Sequence, residues 1–223
     1  VDLSIVLLLA GILGSRLLMV IVDLVKGVPA SVVFDPALLR AGGHVHGGII
    51  AGVLAFFWRV RKLKLSVPLT LDVLMPAAAL GQGIGRLGCL MAGCCYGSAC
   101  HQPWAITFTH PDAHAMSGTP LGIPLHPVQA YTLLANLAIF AGLALWRSRR
   151  AFTGQLAALY FLLEGVQRFA MEAFRDDPDR GTGWLGMAWL STGRLTAIGF
   201  VAFGAILWVW FRRLQARRAT VEA

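Results

Sequence analysis

The run GQGIGRLGCLMAGCCYG, residues 81–97, closes a long apolar segment with an arginine, two adjacent cysteines and six glycines. If the segment spans a bilayer, Arg86 stands where hydrocarbon is expected, at a cost of roughly 2.5–3.5 kcal/mol on insertion scales. An ionisable residue at that depth marks a functional site by default. The alternative is a guanidinium that snorkels to a nearby interface.

The rest of the chain supplies the bilayer. Hydrophobic residues fill 57% of the 223 positions and charged ones only 13%, with a mean hydropathy of +0.69, which excludes ordinary soluble-domain usage. Apolar runs at 3–22, 47–58, 67–92, 128–146, 155–174 and 190–211 predict an all-α fold. The expected architecture is a polytopic membrane helix bundle of about six transmembrane helices, one integral membrane domain over 1–223. The second run reaches spanning length only if 41–46 joins it. The first resembles a signal-peptide core, but it carries Arg16 and has neither a basic leader nor a small-residue cleavage site, so it is read as a retained helix. The chain starts at Val1 rather than methionine, which predicts a further N-terminal piece before it.

Basic residues set the orientation, because short cytoplasmic loops collect lysine and arginine. Arg59, Arg61, Lys62 and Lys64 follow the second run, Arg147, Arg149 and Arg150 the fourth, and Arg212, Arg213, Arg217 and Arg218 the sixth. All three clusters are expected inside, with 212–223 a basic cytoplasmic tail. The net charge of +8 then reflects topology and anionic inner-leaflet lipid, and no nucleic-acid partner is needed. Segment 98–127 becomes an external loop or cap. No internal repeat or pair of broken helices argues for a transporter.

Depth can then be assigned. Arg86 lies 18 positions after Pro68, about 27 Å along an ideal helix, and Arg168 lies 14 after Gly154, about 21 Å. Both fall near the outer leaflet, as do His46 and Arg194 at the start of inward-running spans and Arg16 in the first span. Such a slab of cations suits an anionic phospholipid, whose phosphate arginine matches bidentately. The competing reading has each cation snorkel or pair with Glu164, Glu172 or Asp72. Glu164, Arg168, Glu172 and Arg175 recur three or four apart, so they share one helix face, which must look into the protein. That face either lines a polar cavity or forms a buried ion ladder. His46 opens HGG, where Gly47 and Gly48 allow a helix or a headgroup to approach the backbone. Either His44 or His46 is a candidate general base, since imidazole titrates near pH 6.5.

Taken in order, these motifs resemble the prolipoprotein diacylglyceryl transferase family nearly end to end. Gly14 and Arg16 are similar to its glycine-arginine helix, His46-Gly47-Gly48 to its HGG motif, and Gly85-Arg86-Leu87-Gly88 through Gly97 to its GR-x-G signature. His126-Pro127-x-Gln129-x-Tyr131 resembles its HP-x-Q-x-Y element. Arg168, Glu172 and Arg175 match R-x-x-x-E-x-x-R, and Ser191 and Gly193 echo S-x-G-Q, with Arg194 replacing glutamine.

The resemblance implies a multi-pass bacterial inner-membrane enzyme, active toward the outer leaflet and with a cytoplasmic C-terminus. It would move a diacylglyceryl group from phosphatidylglycerol to the lipobox cysteine thiol of a prolipoprotein, without a cofactor. Arg86 and Arg168 would hold the phosphate and stabilise the leaving group, His46 would help deprotonate the thiol, and Glu172 would orient Arg168. Arg16, Gly47, Gly48, His126, Gln129, Tyr131, Arg175 and Arg194 would bind substrate, and Gly97 would allow a sharp turn under the headgroup.

The signature departs from the family pattern GR-x-G-N-x-x-N-x-E-x-x-G at three positions, with Cys89, Ala92 and Cys94 replacing two asparagines and a glutamate. Two further readings therefore stand beside the first: a related membrane enzyme with another lipid donor or acceptor, and a thiol-redox membrane protein. Cys89, Cys94, Cys95 and Cys100 are all the cysteine in the chain. The spacing C-x4-CC-x4-C lacks the C-x2-C pairs of metal sites, so no metal is expected. A thiol site at Cys89, Cys94 and Cys95, a disulfide through Cys100, or inert packing remain.

Overall fold

The computed structural model describes residues 2–33, 35, 43–176, 181–184, 187 and 189–222. Helices form over every predicted apolar run: α1 Asp2–Val25, a short α2 Ala30–Val33, α3 Val45–Lys62, α4 Val67–Ala92, α6 Val128–Trp146, α7 Gln155–Met171 and α8 Thr192–Glu222. Segment 98–127 carries α5 Pro111–Ser117 between two short strands, β1 Ile106–Thr107 and β2 Pro124–Leu125. The strands pair antiparallel, Ile106 opposite Leu125. The chain is an all-α membrane protein.

Among the described residues, four stretches are long and apolar enough to cross a bilayer: Leu3–Val25, Val67–Ala92, Val128–Arg149 and Thr192–Arg217. The two remaining predicted spans are helical but fall short on their own. Helix α3 has 18 residues and carries Arg59, Arg61 and Lys62 in its last turn, and α7 has 17 with Glu164 and Arg168 among them. The basic tail expected at 212–223 continues α8 as far as Glu222, because nothing after Phe211 breaks a helix.

The chain forms two compact units, Val1–Thr70 and Leu71–Ala223. In the first, α1 and α3 touch through glycine. A methyl group on Gly14 would meet Ala51 Cβ and the Gly47 carbonyl, and one on Gly48 would come within 2.9 Å of the Gly11 carbonyl. Small residues let the two backbones approach where lipid supplies no hydrophobic drive.

In the second unit, Ala79, Ile139, Leu143, Leu156 and Tyr160 join α4, α6 and α7 in one apolar cluster, and Ala158, Leu207 and Phe211 with Phe152 join α7 to α8. Gly165 and Gly204 seat α8 against α7, where a Cβ would lie 2.7–2.9 Å from the facing helix. Asp72, 1% exposed, fixes the start of α7: its carboxylate accepts from the Gly154 and Ala157 N–H groups at 2.8 and 3.1 Å, with Arg150 at 3.6 Å. It satisfies donors that a helix start leaves unpaired, across 82 and 85 residues of sequence.

Candidate functional site

Helix α4 ends in a glycine cap. Gly93 is left-handed at φ 74°, the Gly93 N–H donates to the Leu90 carbonyl, and the Cys94 N–H donates back to the Cys89 carbonyl at 3.1 Å. This paired pattern is a Schellman turn. It folds Cys94 back beside Cys89, and Cys95, itself at φ 56°, completes the reversal. The sulfurs of Cys89, Cys94 and Cys95 consequently lie within 4.8 Å of one another. These are the three cysteines expected as a possible thiol site, and the glycine turn is what brings C-x4-C-C together. Cys100 is buried elsewhere, where its N–H donates to the Pro124 carbonyl, and all four thiols are free.

The turn is held from several sides. Gln129, 1% exposed, donates to the Cys94 carbonyl at 2.7 Å, and Thr119 Oγ1 donates to the Gly93 carbonyl at 2.7 Å. Gly97 does not turn sharply. It bridges Arg175 in extended pairing, and a Cβ there would sit 2.6 Å from His126 Cβ and 2.8 Å from the Phe174 carbonyl. Close packing between two neighbouring strands, rather than a bend, requires glycine. His126 and Tyr131 interact at 3.3 Å (Nδ1 to hydroxyl) and pack edge-on with Phe174, while Trp104 Nε1 donates to the Tyr131 hydroxyl at 2.6 Å.

Beside the turn a narrow cleft is lined by Arg86, Cys95, Thr132, Glu164, Gln167, Arg168, Glu172 and Arg175, with Val128 and Met171. Three guanidinium groups from α4, α7 and the segment after α7 thus face one space, as the charged stripe predicts. Arg168 Nε donates to Thr196 Oγ1 on α8 at 2.9 Å, a partner the sequence did not reveal. Glu172, 2% exposed and in the 3-10 turn Glu172–Phe174, accepts from Ser191 Oγ at 2.5 Å. Gly193 leaves room for that carboxylate, since a Cβ would collide with it. Two buried atoms on the cleft, Glu164 Oε2 and Gln167 Nε2, have no hydrogen-bond partner among the described residues. Buried polar atoms left open in this way mark a place for a ligand or water.

Arg194 points elsewhere. Its guanidinium donates to the Trp189 carbonyl at 2.5 Å and lies over the Phe169 ring, off the cleft lining. Arg16, His46, Gly47 and Gly48 belong to the first unit. There Arg16 is half-buried on α1, His46 is exposed in the first turn of α3, and Gly47 serves the α1–α3 packing.

The Cys95 thiol donates to the Cys89 sulfur and is further desolvated by burial, and together these hold its proton above the ordinary thiol range against the pull of Arg175 and Arg86. Burial, and then neighbouring Cys95, likewise raises Cys94. Neither is a ready thiolate as it stands.

The pattern that defines the prolipoprotein diacylglyceryl transferases matches residues 1–210. The chain belongs to that family. A relative from Clostridium tetani, named phosphatidylglycerol–prolipoprotein diacylglyceryl transferase, is 33% identical over 207 residues, covering 91% of this chain and 77% of its own length. One from Clostridium perfringens, named as the second such transferase, is 32% identical over 223 residues, covering 98% and 81%. One from Pseudomonas aeruginosa with the same transferase name is 31% identical over 178 residues, covering 79% and 63%. In this member of the prolipoprotein diacylglyceryl transferase family, three arginines share the lining of one cleft.

Proposed function

We propose that this chain moves the diacylglyceryl group of phosphatidylglycerol onto the lipobox cysteine thiol of a prolipoprotein, forming a thioether and releasing glycerol phosphate. The observation that carries the reading is the meeting of Arg86, Arg168 and Arg175 around one cleft in a member of this family. Negative charge grows on the departing phosphate, and fixed guanidinium groups in a low-dielectric cleft stabilise that charge without reorganising. Arg168 is held for this by Thr196, and Glu172, anchored by Ser191, supplies a fixed counter-charge on the same lining. Glu164 and Gln167 offer open polar atoms to the headgroup hydroxyls.

Gln129, His126 and Tyr131 act one step back, by holding the turn and strands that frame the cleft. The family resemblance, rather than geometry, assigns the general base to His46 and headgroup contacts to Arg16. The three basic clusters support a cleft opening toward the outer leaflet of a bacterial inner membrane, with the C-terminus in the cytoplasm.

The test is complementation of a bacterium depleted of its own transferase, paired with transfer from labelled phosphatidylglycerol to a lipobox peptide by the purified protein. Growth and thioether formation are the expected results. A correctly inserted protein that gives neither overturns the reading.

A further inference from the structure

We propose that Cys89, Cys94 and Cys95 form a three-thiolate site for zinc, and that the fourth coordination position receives the thiol to be alkylated. The second half rests on the transferase reading above; the first half does not.

The geometry suits the ion. Zinc–sulfur bonds of about 2.3 Å at tetrahedral angles place ligand sulfurs roughly 3.8 Å apart, so three sulfurs already within 4.8 Å of one another need only small adjustments. The backbone is prepared for it. Gly93 and its Schellman turn set Cys94 against Cys89, Gln129 and Thr119 pin the turn, and Cys95 is held at φ 56°, a left-handed conformation that a residue with a Cβ adopts only where its surroundings impose it. Inert packing of small thiols requires none of this.

Charge agrees as well. Three thiolates around a divalent cation carry a net charge of −1, and Arg86 and Arg175 share the cleft lining with Cys95 to offset it. Among the described residues no further histidine, cysteine or carboxylate joins the group, so the site has three ligands, the pattern of catalytic rather than structural zinc.

The position fits the reaction. Cys95 lines the cleft that holds the arginines, so a thiol on the open coordination position would face the headgroup. Coordinated there, it would be more acidic than a free thiol and would give up its proton at neutral pH to the general base that the transferase reading requires. Its sulfur lone pair attacks the glyceryl carbon that bears the phosphate oxygen. The C–S bond forms, the C–O bond breaks, and the electron pair leaves on glycerol phosphate, gripped by Arg86 and Arg168. Nothing is oxidised or reduced. The thioether formed is neutral and a weaker ligand than the thiolate, so it departs. Cysteines standing where the family pattern has asparagine and glutamate thereby gain a use.

Cobalt(II) is the probe. Reduced, purified full-length protein in detergent should bind about one cobalt ion with the absorption of tetrahedral thiolate ligation, displaced by zinc. Cys89→Ser, Cys94→Ser and Cys95→Ser should each weaken binding about tenfold or more, and Cys100→Ser should not. No thiolate band in protein whose four thiols all titrate, or a band that survives the three substitutions, overturns the site. A second arm follows transfer to a lipobox peptide in metal-stripped and zinc-restored enzyme. Loss and recovery of transfer support the proposal. Full transfer by stripped enzyme removes zinc from the reaction and leaves the transferase reading intact. Cobalt bound with no transfer under any condition defeats the transferase reading and leaves the metal site standing.

Discussion

Asp72 and Glu164 are both buried carboxylates on helices of the second unit, yet their surroundings are opposite. Asp72 is saturated, with two backbone donors and Arg150 around it, whereas Glu164 faces a cleft with one oxygen that no described residue satisfies. A buried charge whose partners are complete is architecture: it ties α4 to the start of α7. A buried polar group left partly open, beside three guanidinium groups, has capacity to spare for a water or a ligand.

The largest effect that could break this contrast belongs to the open end. Arg86→Ala and Arg168→Ala should each lower kcat/KM about 10²–10³-fold with the melting temperature unchanged, as expected for groups that stabilise developing charge. Arg86→Lys should recover only part, because an ammonium cannot grip phosphate bidentately. Undiminished transfer by either alanine variant, measured with labelled phosphatidylglycerol, would move the site elsewhere.

The closed end should respond in stability. Asp72→Ala leaves two helix N–H groups unpaired at a cost of roughly 1–3 kcal/mol each, read by denaturant unfolding in detergent. Transfer per folded molecule should stay unchanged, and a matching loss of kcat would show that the two ends are not separable. A smaller effect sharpens the picture of the open end. Thr196→Val removes the acceptor for Arg168 Nε, worth about 1.5 kcal/mol, and should lower kcat/KM roughly tenfold, mainly through kcat.

The mildest test is chemical. In metal-free protein the thiols of Cys94 and Cys95 sit above the ordinary range, so less thiolate is present at any given pH. Alkylation should therefore be slower at pH 8 than for an exposed cysteine, and its rise should be displaced to higher pH. Labelling that tracks a free thiol would show the cluster to be loosely formed.

Much of this was legible in the sequence. The apolar runs at 67–92 and 128–146 end where α4 and α6 end, since Pro68, Gly93, Pro127 and the arginines after Trp146 punctuate them locally. Glu164 and Arg168 were readable because helix periodicity puts them on one face of α7; Glu172 in the 3-10 turn and Arg175 just after it also line the cleft, although the helix has ended there.

What stayed hidden depends on distance along the chain or on backbone handedness. Thr196 lies 28 residues from Arg168, and Asp72 lies 82 from Gly154; no local pattern announces either pairing. Arg194 looked equivalent to the other arginines, but the nearby Trp189 carbonyl and Phe169 ring draw it aside. The sequence grouped Cys89, Cys94 and Cys95 as a candidate thiol site, but the left-handed glycine turn that brings their sulfurs together is not written in the C-x4-CC spacing. Gly97 was singled out correctly as special, but for crowding rather than for a bend.

One consequence concerns the order of synthesis. The hydroxyl that steadies Arg168 and the serine that anchors Glu172 both emerge from the ribosome after the helix bearing the charges they hold. Both contacts form only when α8 and the residue before it pack against α7, so the geometry of the cleft lining is coupled to the docking of that later helix.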